Sequence, residues 1–416
     1  MSKRDAVLII GGGLLQAPMA LEAQRLGLLP LVTDRNPHAP AFAHAYEHHI
    51  LSTSDVEGHV RLVESLRQWE PTTGVHIIGV VTCGADVAPT VAAAAHAAGT
   101  PRIPLEVARM THDKAAVRIA LDTAGLARYQ PRWLWRRETC TRHLEAEVAE
   151  TCSYPCVVKP VEQRASRGIS LVQERQALSG AIRKAFEYGA TYLIEEQLRG
   201  TEHSVEGIFD TDGALLWLNI VDRFFDYSSG VPIETGHVNP GSLVPRIGTA
   251  VDRMFGNVAH ALGVTWGPFK MDTLVTPEGH PKVLECTARL SGGWDCQGTS
   301  PMTARNPMRA LLQLACGLPV DAPLTWKPLQ GYSACAAILP QVTGMVRALP
   351  ARWPQMVMSY PQEVMWTIRP GDTIAPATHN GERAGFVLAH AQTYADAWHR
   401  AKSAADALAD AVEVIP

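Results

Sequence analysis

The sequence predicts a mixed α/β (α+β) fold in which a parallel sheet is followed by hairpin-rich antiparallel β-structure. Three observations carry this. The chain opens with the apolar run Ala6 to Ile10, the glycines Gly11-Gly12-Gly13 and a helical stretch from Gln16 to Leu26. Short apolar runs then recur at Pro30 to Thr33, near His49 to Leu51 and at Gly79 to Cys83, the last followed by an alanine-rich helix around Val91 to Ala98. Sequential strands of this kind build a doubly wound parallel sheet with ligand positions at the strand C-termini. Finally, Pro268 to Arg289, PFKMDTLVTPEGHPKVLECTAR, reads as a β-hairpin turning at Pro277-Glu278-Gly279-His280.

Composition narrows the function. With 416 residues, 46% hydrophobic, 19% charged and a formal charge of −4, there is material for two or three domains and no basic excess to attract nucleic acid. No apolar run is long enough to span a bilayer, so no membrane partner and a cytoplasmic location are expected. The eight cysteines lie mostly in apolar segments and suit a reduced compartment. Cys152 and Cys156 lack the second pair that a zinc site needs.

Between the sheet and the hairpin the elements follow in order. A helix from Asp113 to Leu126 carries Lys114 in its first turn, where a cation opposes the helix dipole and invites a ligand. The strand Cys156-Val157-Val158 ends in Lys159. The loop Val161 to Ile169, VEQRASRGI, holds Ser166, Arg167 and Gly168, residue types that wrap phosphates through backbone N–H groups, a hydroxyl and a guanidinium. After a helix bearing Leu178, Ala181, Ile182 and Ala185 on one side come a strand from Tyr192 and the run Glu195-Glu196-Gln197-Leu198. Glu202 begins the next strand, and Asp212-Gly213 turns it into a partner ending at Asp222. Phe224 to Pro245 is rich in Gly, Pro and Ser and reads as a long loop over a site. A helix ending at Gly263 delivers the chain to the hairpin. Asn306-Pro307 caps a further helix, and the tail holds two strands and a helix with Trp398, Ala401, Ala405 and Leu408 on one side.

A hairpin turn centred between Glu278 and Gly279 places Asp272 opposite Glu285 and Lys270 opposite Thr287 on one face, with Leu284, Cys286, Ala288 and Leu290 as an apolar row on the other. Facing carboxylates repel unless something positive sits between them. Magnesium takes oxygen ligands and is held by one or two carboxylates together with substrate phosphates, so the hairpin predicts a nucleotide. A solvated face with incidental charges is the alternative reading of the hairpin alone. Gly11, Gly13 and Asp34 sit near dinucleotide-fingerprint positions, but Leu14, Leu15 and Gln16 follow and the third glycine is missing.

In this order the motifs resemble the ATP-grasp superfamily, and most closely its carboxylate-amine ligases, including the L-amino acid ligases. The resemblance implies an N-terminal α/β domain over 1–112, an ATP-grasp domain over 113–330 with lobes of about 113–195 and 196–330, and a C-terminal β-rich closing segment over 331–416. By it, Lys114 and Lys159 contact ATP phosphates and Ser166, Arg167 and Gly168 cover them. Glu195, Glu196, Gln197 and Leu198 match the adenine-recognising strand, and Glu202 the ribose carboxylate. Asp272 and Glu285 match the metal carboxylates, with Thr287 where the family often has asparagine. Arg289 and Lys270 are the implied catalytic cations, and Glu234, His237, Gly292 and Gly293 the implied substrate contacts. The cofactors are ATP and Mg2+, one or two ions with Mn2+ as a substitute. The implied reaction joins a small-molecule carboxylate to an amine through an acyl phosphate, and a homodimer is the common assembly of the family. A biotin carboxylase-like or purine-biosynthesis enzyme is the alternative within the superfamily; a nicotinamide-dependent oxidoreductase or a nucleotide-binding sensor lies outside it.

Overall fold

Four strands open the chain as a parallel sheet, β1 (Arg4–Ile10), β2 (Leu29–Asp34), β3 (Glu47–Ile50) and β4 (Val75–Val81), in the order β3-β2-β1-β4. The computed structural model describes residues 3–137, 139, 141–161, 163, 166–228, 230–242, 244–291, 306–321, 331–350 and 362–415. Ala6 to Ile10 of β1 are fully buried, as a central parallel strand covered on both faces must be. At Gly79 of β4 a Cβ would stand 2.6 Å from Cys316 Sγ and 3.0 Å from the Ala315 carbonyl. The missing side chain lets the end of the helix Pro307–Ala315 pack directly on the strand.

The first glycine turn is closed by its own neighbours. Gly11 has φ 101°, and the Asp34 carboxylate accepts from the Gly12 N–H and the Asn36 N–H, each at 2.8 Å. The acid that a dinucleotide site would direct at a ribose therefore clasps the turn.

A second, antiparallel sheet joins β5 (Trp133–Arg136), β6 (Cys156–Pro160), β7 (Ser170–Val172) and β8 (Tyr192–Glu196) in the order β5-β8-β6-β7. Leu144 and Val148 of the helix Arg142–Thr151, with Leu178 and Ile182 of the helix Leu178–Phe186, cover it against Val158, Tyr192 and Ile194.

The third sheet is the largest. Its strands β9 (Thr201–Phe209), β10 (Leu215–Asp226), β11 (Ile233–Asn239), β12 (Gly267–Val275) and β13 (Pro281–Thr287) are followed in the chain by β14 (Tyr332–Ile338), β15 (Gly344–Ala348), β16 (Gln362–Trp366), β17 (Thr373–Ile374), β18 (Gly385–Ala391) and β19 (Glu413–Ile415). Eight of these form one sheet, β13-β12-β9-β10-β11-β14-β18-β16, while β17-β15-β19 make a small separate one. The C-terminal segment thus extends the central sheet rather than adding a new layer. The helix Tyr394–Asp410 packs Ala397, Ala401, Ala405 and Leu408 on β14 and β18.

The expected loop from Phe224 to Pro245 is a correction. β10 continues to Asp226 and the chain returns as β11 in the interior of the sheet, between β10 and β14. Its composition hides this for two reasons. A Cβ on Gly236 would stand 2.3 Å from the Cys335 carbonyl and 2.7 Å from Trp398, so glycine there serves close packing rather than a turn. A bulge at Thr235, where Phe224 pairs with Gly236 and Phe225 with Glu234, also breaks the alternation that marks a strand.

Candidate active site

The hairpin β12–β13 has the expected pairing where it matters: Lys270 with Thr287, Met271 with Cys286, and Asp272 with Glu285. The route to it differs. Beyond Asp272 the pairs are Thr273 with Val283, Leu274 with Lys282 and Val275 with Pro281, so Leu284 is the extra residue of a β-bulge. This corrects the apolar row, because Val283 joins Cys286 and Ala288 in the core and Leu284 lines the cleft instead. The bulge has a chemical consequence. The Leu284 carbonyl accepts from Arg118 Nη2 at 2.8 Å and from Lys159 Nζ at 3.4 Å.

The two carboxylates face a cleft of about 970 Å³, walled by residues of the second sheet and the eight-stranded sheet, by Leu15, Gly84 and Asp86 beyond the ends of β1 and β4, and by Asn380 and Arg383 of the C-terminal segment. Its cations are already partnered. Lys114 Nζ lies 2.9 Å from Glu285 Oε1 and donates to the Gln163 carbonyl at 2.6 Å. Asp113 caps the helix Lys114–Thr123 by accepting from Ala115 and Ala116 N–H. Asp272 Oδ1 lies 2.8 Å from Arg223 Nη1 and 2.5 Å from Lys270 Nζ. Burial pushes the Asp272 carboxyl up, but Arg223 and Lys270 more than offset it and hold the group below its ordinary value.

Glu195 is buried and ion-paired with Lys159 at 2.6 Å and Arg118 at 2.9 Å. Against its desolvation these two cations hold its carboxyl low. The Glu196 carboxylate lies 2.7 Å from Arg132 Nε. Both side chains are engaged by these cations, and Glu195 to Leu198 all line the cleft. Glu202 lines it too and accepts from Tyr227 OH at 2.6 Å, its carboxyl raised by burial and partly lowered again by Arg223.

Ser166 and Arg167 line the cleft from the loop between β6 and β7. Ser166 has φ 65°, a left-handed conformation uncommon for serine, and Gly168 has φ 72° with Pro160 and Tyr188 each 2.7 Å from where its Cβ would be. Arg289 is held by Asp86, its Nε and Nη2 each 2.7 Å from Oδ1. Thr287 Oγ1 also donates to Asp86, at 3.4 Å. Glu234 lines the cleft and is gripped by Arg223 through both oxygens, at 2.9 and 3.1 Å. His237 is buried beside them and is not a lining residue. Gly292 and Gly293 lie outside the described residues.

A divalent cation fits this donor set. Asp272 and Glu285 offer hard oxygen ligands in direct register, and no group of three or more His, Cys, Asp or Glu side chains suited to a metal occurs among the described residues. That matches the mode in which magnesium keeps waters and shares phosphate oxygens.

Several residues of the site escaped the sequence reading: Asp86, Arg223, Asn380 and Arg383, which line the cleft, and Arg118, buried behind it on Glu195. Asp86 and Arg118 did leave a signal. Asp86 follows the C-terminal end of a parallel strand, and Arg118 stands four residues from Lys114 on one helix face. Arg223 was concealed by the misread loop, and Asn380 and Arg383 sit in a tail with no motif.

With this geometry in place, comparison with known proteins is informative. Residues 152–297 match the family model of the ATP-grasp domain, and residues 338–413 that of the L-amino acid ligase C-terminal domain 2. Residues 152–297 are thus an ATP-grasp domain, and the solved structures show the same fold across the chain. Among solved structures it resembles L-amino acid ligase from Bacillus licheniformis, with a TM-score of 0.77 at 22% identity over 98% of each chain. It also resembles phosphoribosylglycinamide synthetase from Anaerococcus prevotii, with a TM-score of 0.74 at 16% identity over 100% of each chain. Among curated proteins it is 30% identical over 221 residues to formate-dependent phosphoribosylglycinamide formyltransferase of Nitratidesulfovibrio vulgaris, covering 51% of this chain and 50% of that one. It is 34% identical over 136 residues to D-alanine--D-alanine ligase of Geotalea uraniireducens, covering 32% and 43%. The matches span about half the length of these curated relatives. No described helix is long and apolar enough to cross a membrane.

Proposed function

We propose that this protein is an ATP-dependent carboxylate-amine ligase that forms an amide or peptide bond, with an amino acid among its substrates. The observation that carries this reading is the facing pair Asp272/Glu285 set among Lys114, Lys159, Lys270, Arg223 and Arg289 in one cleft. A carboxylate does not react with an amine at neutral pH because its leaving group would be oxide. Transfer of the ATP γ-phosphoryl group to the acid gives an acyl phosphate; attack of the amine on the acyl carbon then expels phosphate, leaving ADP and the amide.

The protein's part is positioning and charge neutralisation. Asp272 and Glu285 would hold magnesium, which when bound neutralises phosphate charge; Thr287, turned toward Asp86, leaves the third position to water. Lys114 and Lys159 hold phosphates as point charges, with Ser166, Arg167 and Gly168 closing over them. Backbone groups of residues 195–198 take the adenine and Glu202 the ribose. Arg289 and Lys270 face the charge that builds on the transferring phosphoryl group and on the tetrahedral intermediate. Asp86 fixes the Arg289 guanidinium for that task. The substrate side falls to Glu234, and to Gly292 and Gly293 beyond the described residues; His237, which does not line the cleft, is left without a substrate contact.

Mass spectrometry of products, paired with an ADP-release screen of amino acids singly and in pairs, tests the proposal. A condensed product with stoichiometric ADP is expected. The formyltransferase relatives favour a purine-type reading as the competitor. ADP release with formate plus phosphoribosylglycinamide, or bicarbonate plus aminoimidazole ribonucleotide, and none with amino acids would replace the first reading with the second.

A further inference from the structure

The C-terminal segment places two side chains in the cleft, Asn380 and Arg383, and no motif in the sequence accounts for them. Asn380 Oδ1 accepts from the Glu234 N–H at 2.8 Å while its Nδ2 donates to Ser166 Oγ at 3.2 Å. This corner of the cleft therefore lies against the loop assigned to the phosphates. Arg383 beside it is held at three points. Its Nε donates to the Asn380 carbonyl at 2.8 Å, its Nη1 lies 3.3 Å from Glu234 Oε2, and its guanidinium stands 4.9 Å from the Phe386 ring centroid. These contacts fix the orientation of the guanidinium.

Its charge is not spent on that fixing. Arg223 already engages both Glu234 oxygens at shorter distances, so Arg383 is a second guanidinium on a carboxylate that has its partner. Among the described residues Arg383 Nη2 has no partner, and the side chain is 17% exposed in the cleft wall. A planar guanidinium with free N–H groups is matched in shape to a carboxylate.

Resting on the ligase reading, we infer that Arg383 is a specificity-determining residue: it binds the carboxylate of an amino-acid nucleophile and so selects the free acid over its carboxamide. The position suits that role. The amine must reach the acyl phosphate next to the transferred phosphoryl group, and Arg383 is linked through Asn380 to the loop that covers that group.

The test measures ADP release and product mass with the twenty common L-amino acids as nucleophiles, and with the carboxamide of each, in the wild type, Arg383→Gln and Arg383→Lys. Arg383→Gln should raise KM for amino-acid nucleophiles about tenfold or more, as expected for a lost charge-assisted hydrogen bond. KM for the carboxamides and for ATP should stay unchanged, and Arg383→Lys should recover part of the loss. A fall in thermal stability that is equal in both variants without a KM difference between acid and amide contradicts the inference. So does a loss that appears in KM for ATP, which would make Arg383 a phosphate contact. If no nucleophile supports condensation in the wild type, the ligase reading itself fails; condensation that is indifferent to Arg383→Gln removes only this inference.

Discussion

Two hairpins of the same sheet, β12–β13 and β10–β11, supply the cleft with Lys270, Asp272 and Glu285 and with Arg223 and Glu234, and only the first announces itself in the sequence. In β12–β13 the carboxylates sit in strands of regular apolar alternation, so their facing arrangement can be derived from a turn position. In β10–β11, Gly236 and a bulge at Thr235 imitate a loop. Yet Arg223 on this second hairpin, itself gripped by Glu234, pairs with Asp272 of the first. A pair of facing carboxylates can be written on one hairpin while a cation that balances it is written on another.

The largest effect should come from the legible hairpin. Glu285→Gln should lower ADP release by about 10³-fold or more with any substrate pair, as removal of a preorganised charge at a reacting phosphoryl group does, while thermal unfolding stays near that of the wild type. Steady-state ADP assays check it; undiminished turnover would detach the pair from catalysis.

Next comes the concealed hairpin. Arg223→Met leaves Asp272 and Glu234 buried without their shared cation and should cost about 3 kcal/mol of stability, read by urea unfolding. Gly236→Ala should cost about 2 kcal/mol by the same measurement, because the added methyl meets the Cys335 carbonyl and Trp398. Wild-type stability in Gly236→Ala would mean that β11 is the loop its composition suggests.

Acid should act on both hairpins together. Despite burial, Arg223 and its neighbours hold Glu234 and Asp272 below their ordinary values of 4.5 and 3.8. Depressed carboxylates stabilise the fold above those values, and the contribution is lost as pH falls through their lower native values. Thermal midpoints should be level near neutrality and fall once pH drops below 4.5. The smallest effect is expected from Thr287→Val, which should weaken magnesium-dependent nucleotide binding by less than about tenfold, since its hydroxyl faces Asp86.

The sequence made the parallel sheet legible because buried parallel strands are continuous apolar runs, as at Ala6 to Ile10. It made Lys114, Lys159, Asp272, Glu285 and Arg289 legible through their order, which the resemblance to ATP-grasp ligases organised. It did not show that Glu195 is the buried counter-ion of Lys159, because a pair of glutamates at a strand end looks the same whether solvated or enclosed. Nor did it show the Leu284 bulge. A turn position alone gave the right pairing of Asp272 with Glu285 but the wrong face for Leu284, since one bulged residue shifts everything between it and the turn. Asn380 and Arg383 were out of reach because tertiary folding alone brings the tail to the cleft.

The central claim is that Asp272 and Glu285, set beside Arg223, Lys270 and Lys114, would hold the metal that nucleotide binding requires. Calorimetric titration of ATP with and without magnesium, into the wild type and Glu285→Gln, measures this most directly. Binding to the wild type should need magnesium, and its loss or the substitution should each weaken ATP binding about tenfold or more. Equal affinity with and without magnesium, unchanged in Glu285→Gln, would contradict it.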